Sequence, residues 1–168
     1  MLKNILSPKT CASCKICCIF DKYDIWETPI ISSELKSRIT AVRDDIRFVT
    51  KGDSRDSYLF VCDSKIVDGE ELFFCPALDP EKGCTLGENK PFECSIWPYR
   101  IMQLGKYRVI AVASICPEMY SKPLKSLVDE LERGLDDSLA EKIYAYADKN
   151  PDIVKPYQKG YPILYVRN

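Results

Sequence analysis

Nine cysteines and no histidine stand in this chain of 168 residues. That pairing constrains the protein more than any other feature of its sequence. Without imidazole there is no Ser-His-Asp or Cys-His nucleophile, no zincin helix and no Cys2His2 finger. Any soft metal has to be held by thiolates. Cys11, Cys14, Cys17 and Cys18 crowd into the run CASCKICC, a density that chance rarely produces. An odd total fits poorly with a fully paired disulfide framework. Residues Met1 to Thr10 lack the apolar stretch of an export signal, so the expected compartment is the cytoplasm. Its reducing conditions turn dense cysteine toward metal or redox chemistry.

The rest of the composition is that of a globular domain, 46% hydrophobic and 29% charged. At this length about 70% of the unfolded surface is buried on folding, so a core needs no disulfide staples. Lys and Arg number 24 against 25 Asp and Glu, a net charge of -1. That balance leaves no basic footprint for nucleic acid or an anionic membrane. No apolar run reaches the ~18 residues of a membrane span. The expected organisation is one α+β domain over residues 1–168. Its cysteine core covers 11–117, and a helical part covers 121–150.

Periodicity predicts a helix from about Ser33 to Arg47, with Leu35, Ile39, Val42 and Ile46 on one face and Ser32 or Ser33 as cap. Residues 47–56 read as turn-rich. Two hairpins follow. Asp68-Gly69 between Tyr58–Val67 and Glu70–Cys75 is a type I′ signal, and Gly105-Lys106 between Tyr99–Leu104 and Tyr107–Ser114 suits type II′. Between the hairpins, Pro91 to Trp97 reads as a short helical turn with Pro at its start. Leu124, Leu127, Val128, Leu131 and Leu135 form a helical stripe. Leu139, Ile143, Tyr146 and Ala147 form a second, entered through Asp136 or Asp137 and ended by Pro151. Tyr161 to Val166 reads as a late strand.

The cysteine spacings carry the chemistry. C-x2-C turns two sulfurs back onto one ion, and C-x2-C-x2-C is the spacing that wraps three corners of a [4Fe-4S] cube. Cys18 departs from the ferredoxin run. Adjacent side chains rarely face the same way, so Cys17 and Cys18 fit two different metals or a bridging arrangement. Cys75, Cys84 and Cys94 lie at intervals too long for one loop motif.

CASCKICC, followed by Cys75-Pro76-Ala77-Leu78, Gly83-Cys84 and Pro91-Phe92-Glu93-Cys94-Ser95-Ile96-Trp97-Pro98, resembles the YkgJ-like cysteine-cluster family. That family is described as a zinc- or iron-chelating domain. The resemblance spans residues 11–18 and 75–117 and implies chelation through the matched thiols. Lys90, Ser95 and Trp97 stand where the family pattern has Arg, Arg and Phe.

Hairpin register distinguishes the two remaining cysteines. The second hairpin sets Pro98 opposite Ala113, so Cys94 and Cys116 leave its two strands at the same end. Cys116-Pro117 also repeats the Cys75-Pro76 step, and Cys116 is read as a ligand. The first hairpin sets Cys62 opposite Cys75, which offers it as a ninth ligand or a resolving thiol. Within the apolar run Tyr58–Cys62 it is read instead as a packed thiol.

The expected metal ligands are thus Cys11, Cys14, Cys17, Cys18, Cys75, Cys84, Cys94 and Cys116. They serve about two Zn2+ ions or an iron–sulfur cluster such as [4Fe-4S]; softness alone does not choose between them. Lys15, Lys82, Lys90 and Arg100 lie beside these positions as countercharges. Two readings follow: a structural zinc domain serving interaction with a protein partner, and an iron–sulfur redox protein. A third class, the enzyme, enters through flagellin lysine methylases, which are similar to the cluster family. Seven glycines without a cofactor loop, and no carboxylate pair, Ser or Lys in a catalytic frame, give it no support.

Overall fold

The computed structural model describes residues 12–22, 24–113, 116–117 and 121–167. They are mixed α+β, with the strands in several small sheets. They fall into two compact units, one within Pro8–Cys94 and the other within Ser95–Asn168.

In the first unit, α1 (Ser33–Val42) is capped by the Ser32 hydroxyl, which accepts from the Leu35 amide at 3.2 Å. This oxygen satisfies one of the free amides of the first turn. The helix ends before the expected Arg47. Arg43 leaves helical geometry, and its Nε and Nη2 each reach the Asp45 carboxylate at 2.7 Å. Asp44 and Asp45, which follow directly, are weak helix formers. Val42, expected on the apolar face, is 60% exposed, whereas Ile46 returns to the core from the following turn. Ile31, Leu35, Ile39, Ile46, Phe60, Ala77 and Leu86 form that core.

The expected strand Tyr58–Val67 is two strands. β2 (Ile31–Ser32) and β3 (Phe48–Thr50) flank β4 (Ser57–Phe60) in one sheet. The chain then crosses to a second sheet, where β5 (Asp63–Val67) pairs with β6 (Glu70–Phe74). The break falls where environment changes: Phe60 is buried, while all of β5 is exposed. The Asp68-Gly69 turn has positive φ at both residues, 52° and 88°, as type I′ requires. Register runs from Val67↔Glu70 to Asp63↔Phe74, the alignment expected from the sequence. β1 (Ile19–Phe20) lies on the other side of β6, and β7 (Leu78–Asp79) pairs with β8 (Gly83–Cys84). A short helix, α2 (Phe92–Ser95), follows at the expected helical turn.

The second unit is built on β9 (Tyr99–Leu104) and β10 (Tyr107–Val112), paired Leu104↔Tyr107 through Tyr99↔Val112. Gly105 alone carries positive φ in that turn, 58°, in keeping with type II′. α3 (Leu124–Gly134) and α4 (Asp137–Lys149) follow, the latter capped by Asp136 accepting from the Leu139 amide at 2.7 Å. β11 (Lys155–Pro156) and β12 (Ile163–Arg167) close the sheet in the order β11-β9-β10-β12. Tyr144, outside the expected stripe, is buried in α4 and donates its hydroxyl to the Arg108 carbonyl at 3.3 Å. No helix among the described residues is long and apolar enough to cross a membrane.

Candidate metal centre

The cysteine run is folded by one unusual residue. Residues 12–14 are helical, and Ile16–Cys18 form a turn of 3-10 helix. Between them Lys15 adopts φ 60°, a left-handed conformation that costs a non-glycine residue about 1 kcal/mol or more. The Cys18 amide donates to the Lys15 carbonyl at 2.8 Å and closes the turn. The Lys15 ammonium donates to the Pro80 carbonyl. The strained residue therefore also ties the run to the β7–β8 connection.

A second contact fixes the same docking. Gly83 has φ 77°, and a Cβ built on it would lie 3.1 Å from Ala12 Cβ and 3.2 Å from Ala12 Cα. A side chain here would crowd Ala12, and the positive φ independently favours glycine. Asp79 shapes the β7–β8 turn by accepting from the Glu81 and Lys82 amides at 2.8 and 2.7 Å. These bonds hold its carboxyl below the usual range.

Cys75 meets the run from the sheet. Its amide donates to the Cys18 carbonyl at 2.9 Å, extending the ladder of Ile19↔Phe74 and Phe20↔Phe73 by one step. The Cys18 side chain contacts those of Cys17 and Cys75. Contact with Cys17 lowers its thiol pKa, but Cys75, burial and the nearby Cys84 together carry it to about 12. Cys84 stands opposite Leu78 in the β7–β8 pair. Cys94, on α2, is pushed well upward by desolvation and then by Cys18, Cys17, Glu93 and Cys84. Cys94 is itself an exposed residue of α2. Glu93, buried next to it, accepts the Ile30 amide at 2.6 Å and pins α2 to the chain before β2.

Of the expected ligands, Cys17, Cys75, Cys84 and Cys94 thus lie within electrostatic reach of Cys18. Cys14 is half-buried in the same run. Cys11 lies outside the described residues. Cys116 is buried, 3% exposed, in the second unit. Cys62 packs against the apolar core, and its thiol is raised to about 11 by burial and then by Asp63. Among the described residues, no group of three or more Cys, Asp or Glu side chains is arranged to hold a metal ion.

The donor chemistry nevertheless suits a soft cation. Thiols that oppose one another's ionisation become thiolates when a positive ion shares their site, since metal binding displaces their protons. Lys15, Lys82, Lys90 and Arg100 are the countercharges expected from the sequence. Lys15 is engaged as described, and Arg100 lies in the second unit with its guanidinium 4.8 Å from the centre of the Trp97 ring. The cation overlooked was Arg43. Its guanidinium contacts the Thr85 hydroxyl and the Pro76 carbonyl. No local pattern marks a helix-terminal arginine for this place; only the packing of α1 on the cysteine segments brings it there. Comparison with protein-family models, with curated proteins and with solved structures finds no match for this chain.

Proposed function

We propose that this chain is a metal-binding protein that holds zinc or iron on thiolates gathered around Cys18, in a structural role. The carrying observation is the convergence of Cys17, Cys18, Cys75, Cys84 and Cys94 from separate stretches of sequence. Cys75 and Cys84 also pack against the apolar core of the unit, but packing alone does not call for five thiols together, which repel once ionised. A soft divalent ion reverses that balance. Cys11, Cys14 and Cys116 complete the proposed ligand set of eight, enough for two four-sulfur sites. Such closed zinc sites stabilise a fold and leave no open position for catalysis. The likeness to the YkgJ-like cysteine-cluster family belongs to the same proposal.

The test is anaerobic purification followed by elemental analysis, sulfide assay and a visible spectrum. A colourless protein with about two zinc ions per chain supports the reading. Iron with acid-labile sulfide moves it to an iron–sulfur electron carrier. Absence of stoichiometric metal, with all thiols free and reduced, overturns it.

A further inference from the structure

We infer that Arg43 is a positioning residue of the thiolate site, holding the segments that follow Cys75 and Cys84 in register for an ion. The inference rests on the metal reading above and adds to it a residue outside the cysteine pattern. Its basis is the bonding of one guanidinium. Nη1 donates to the Thr85 hydroxyl, and Nη2 donates to the Pro76 carbonyl at 3.3 Å. Pro76 directly follows Cys75, and Thr85 directly follows Cys84. One rigid fork therefore spans the residues next to two candidate ligands.

The fork is itself held. Asp45 takes Nε and Nη2 at 2.7 Å each, and the Arg43 amide donates to the Ile39 carbonyl at 2.8 Å, anchoring the residue to the end of α1. Thr85 is fixed from its other side, its amide and hydroxyl donating to the Ala77 carbonyl at 2.9 and 3.0 Å. The Leu78 amide donates to the Cys75 carbonyl at 2.9 Å. Both cysteine segments are thus braced against the same planar cation. Arginine suits this place because its donors are preorganised and its charge is permanent, whereas lysine offers one flexible point charge.

Partners beyond the ligands commonly change metal affinity by about 10- to 100-fold when removed. The experiment uses the full chain, with zinc as the probe in competition against a chromophoric chelator. Cobalt spectra report the geometry of the sulfur ligands. Arg43→Gln should weaken zinc binding by about 10- to 100-fold and alter the cobalt spectrum. Arg43→Lys should recover part of the affinity, because the charge returns without the fork. Should Arg43→Gln fail to fold, Thr85→Val carries the test: it removes one acceptor of the fork and should weaken zinc binding severalfold. Zinc affinities and cobalt spectra equal to the parent in the folded variants would overturn the assignment while leaving the metal reading intact. A parent chain that takes up neither ion sinks the metal reading, and this assignment with it.

Discussion

Cys75 hands its backbone amide to the carbonyl of Cys18 at 2.9 Å, and the same two residues bring their thiols into contact. The sheet ladder and the cysteine neighbourhood are therefore one construction. β6 is the central strand of its sheet, so the residue that directly follows it is delivered to the CASCKICC run by continuation of ordinary antiparallel pairing.

Loss of either thiol should be felt as loss of metal. Cys18→Ser and Cys75→Ser should each lower metal per chain, since a hydroxyl is a far poorer ligand than a thiolate for soft ions. Apparent binding free energies of ~10 kcal/mol or more for a structural zinc rival a whole domain's stability margin. A strong chelator should accordingly lower the unfolding midpoint of the parent sharply and that of these variants far less. Elemental analysis and urea titration, with and without chelator, give the answer.

Cys62 should behave as packing. Its thiol is raised by burial and by Asp63, with no cluster thiol among the causes. Cys62→Ala should leave metal content unchanged and cost of order 1 kcal/mol for the small cavity. Metal loss in this variant would make Cys62 a ligand.

Gly83→Ala should loosen the cysteine run. The new methyl group would meet Ala12 at 3.1 Å from a backbone at φ 77°, and both the crowding and the left-handed conformation penalise it. The expected cost is about 1–2 kcal/mol, of the order found for strained backbone positions. Alkylation of Cys14 should quicken relative to the parent, as mass spectrometry of timed samples would show.

The second unit should weaken in alkali. Burial raises the Tyr99 hydroxyl to about 12, and chiefly burial raises that of Tyr144 to about 12. Both hydroxyls donate to carbonyls, Tyr99 to Leu131 at 3.1 Å and Tyr144 to Arg108 at 3.3 Å. The unfolded chain releases these protons near pH 10, the ordinary tyrosine value, and the folded chain only near 12. Their stabilisation is complete below pH 10 and is lost as pH rises through 12. It amounts to a few kcal/mol at most, since each pKa unit is worth about 1.4 kcal/mol. Tyrosinate absorbance followed alongside circular dichroism should show these rings ionising together with unfolding. Early titration without unfolding would refute this.

What the sequence made legible was local. Asp68-Gly69 and Gly105-Lys106 set both hairpin registers because turn chemistry is decided by adjacent residues. Asp136 marked its helix start for the same reason. The transfer of the chain between sheets after Phe60 was not legible, because β4 is held on one side by β2, which lies before the whole of α1 in sequence. Arg43 was hidden in the same way, its role depending on what α1 packs against. At the cysteine site, spacing singled out the run, but the approach of Ala12 to Gly83 and the turn at Lys15 emerge only in three dimensions.

The bond between Cys18 and Cys75 also sets a timetable. At synthesis rates of about 5–20 residues per second, the thiols of the N-terminal run precede β6 by several seconds. During that interval they have neither the sheet nor the later cysteines to meet. Order in this region thus waits until residues 70–94 have been made, and under the proposed metal reading an ion captured earlier would sit in a half-built shell from which competing chelators could take it.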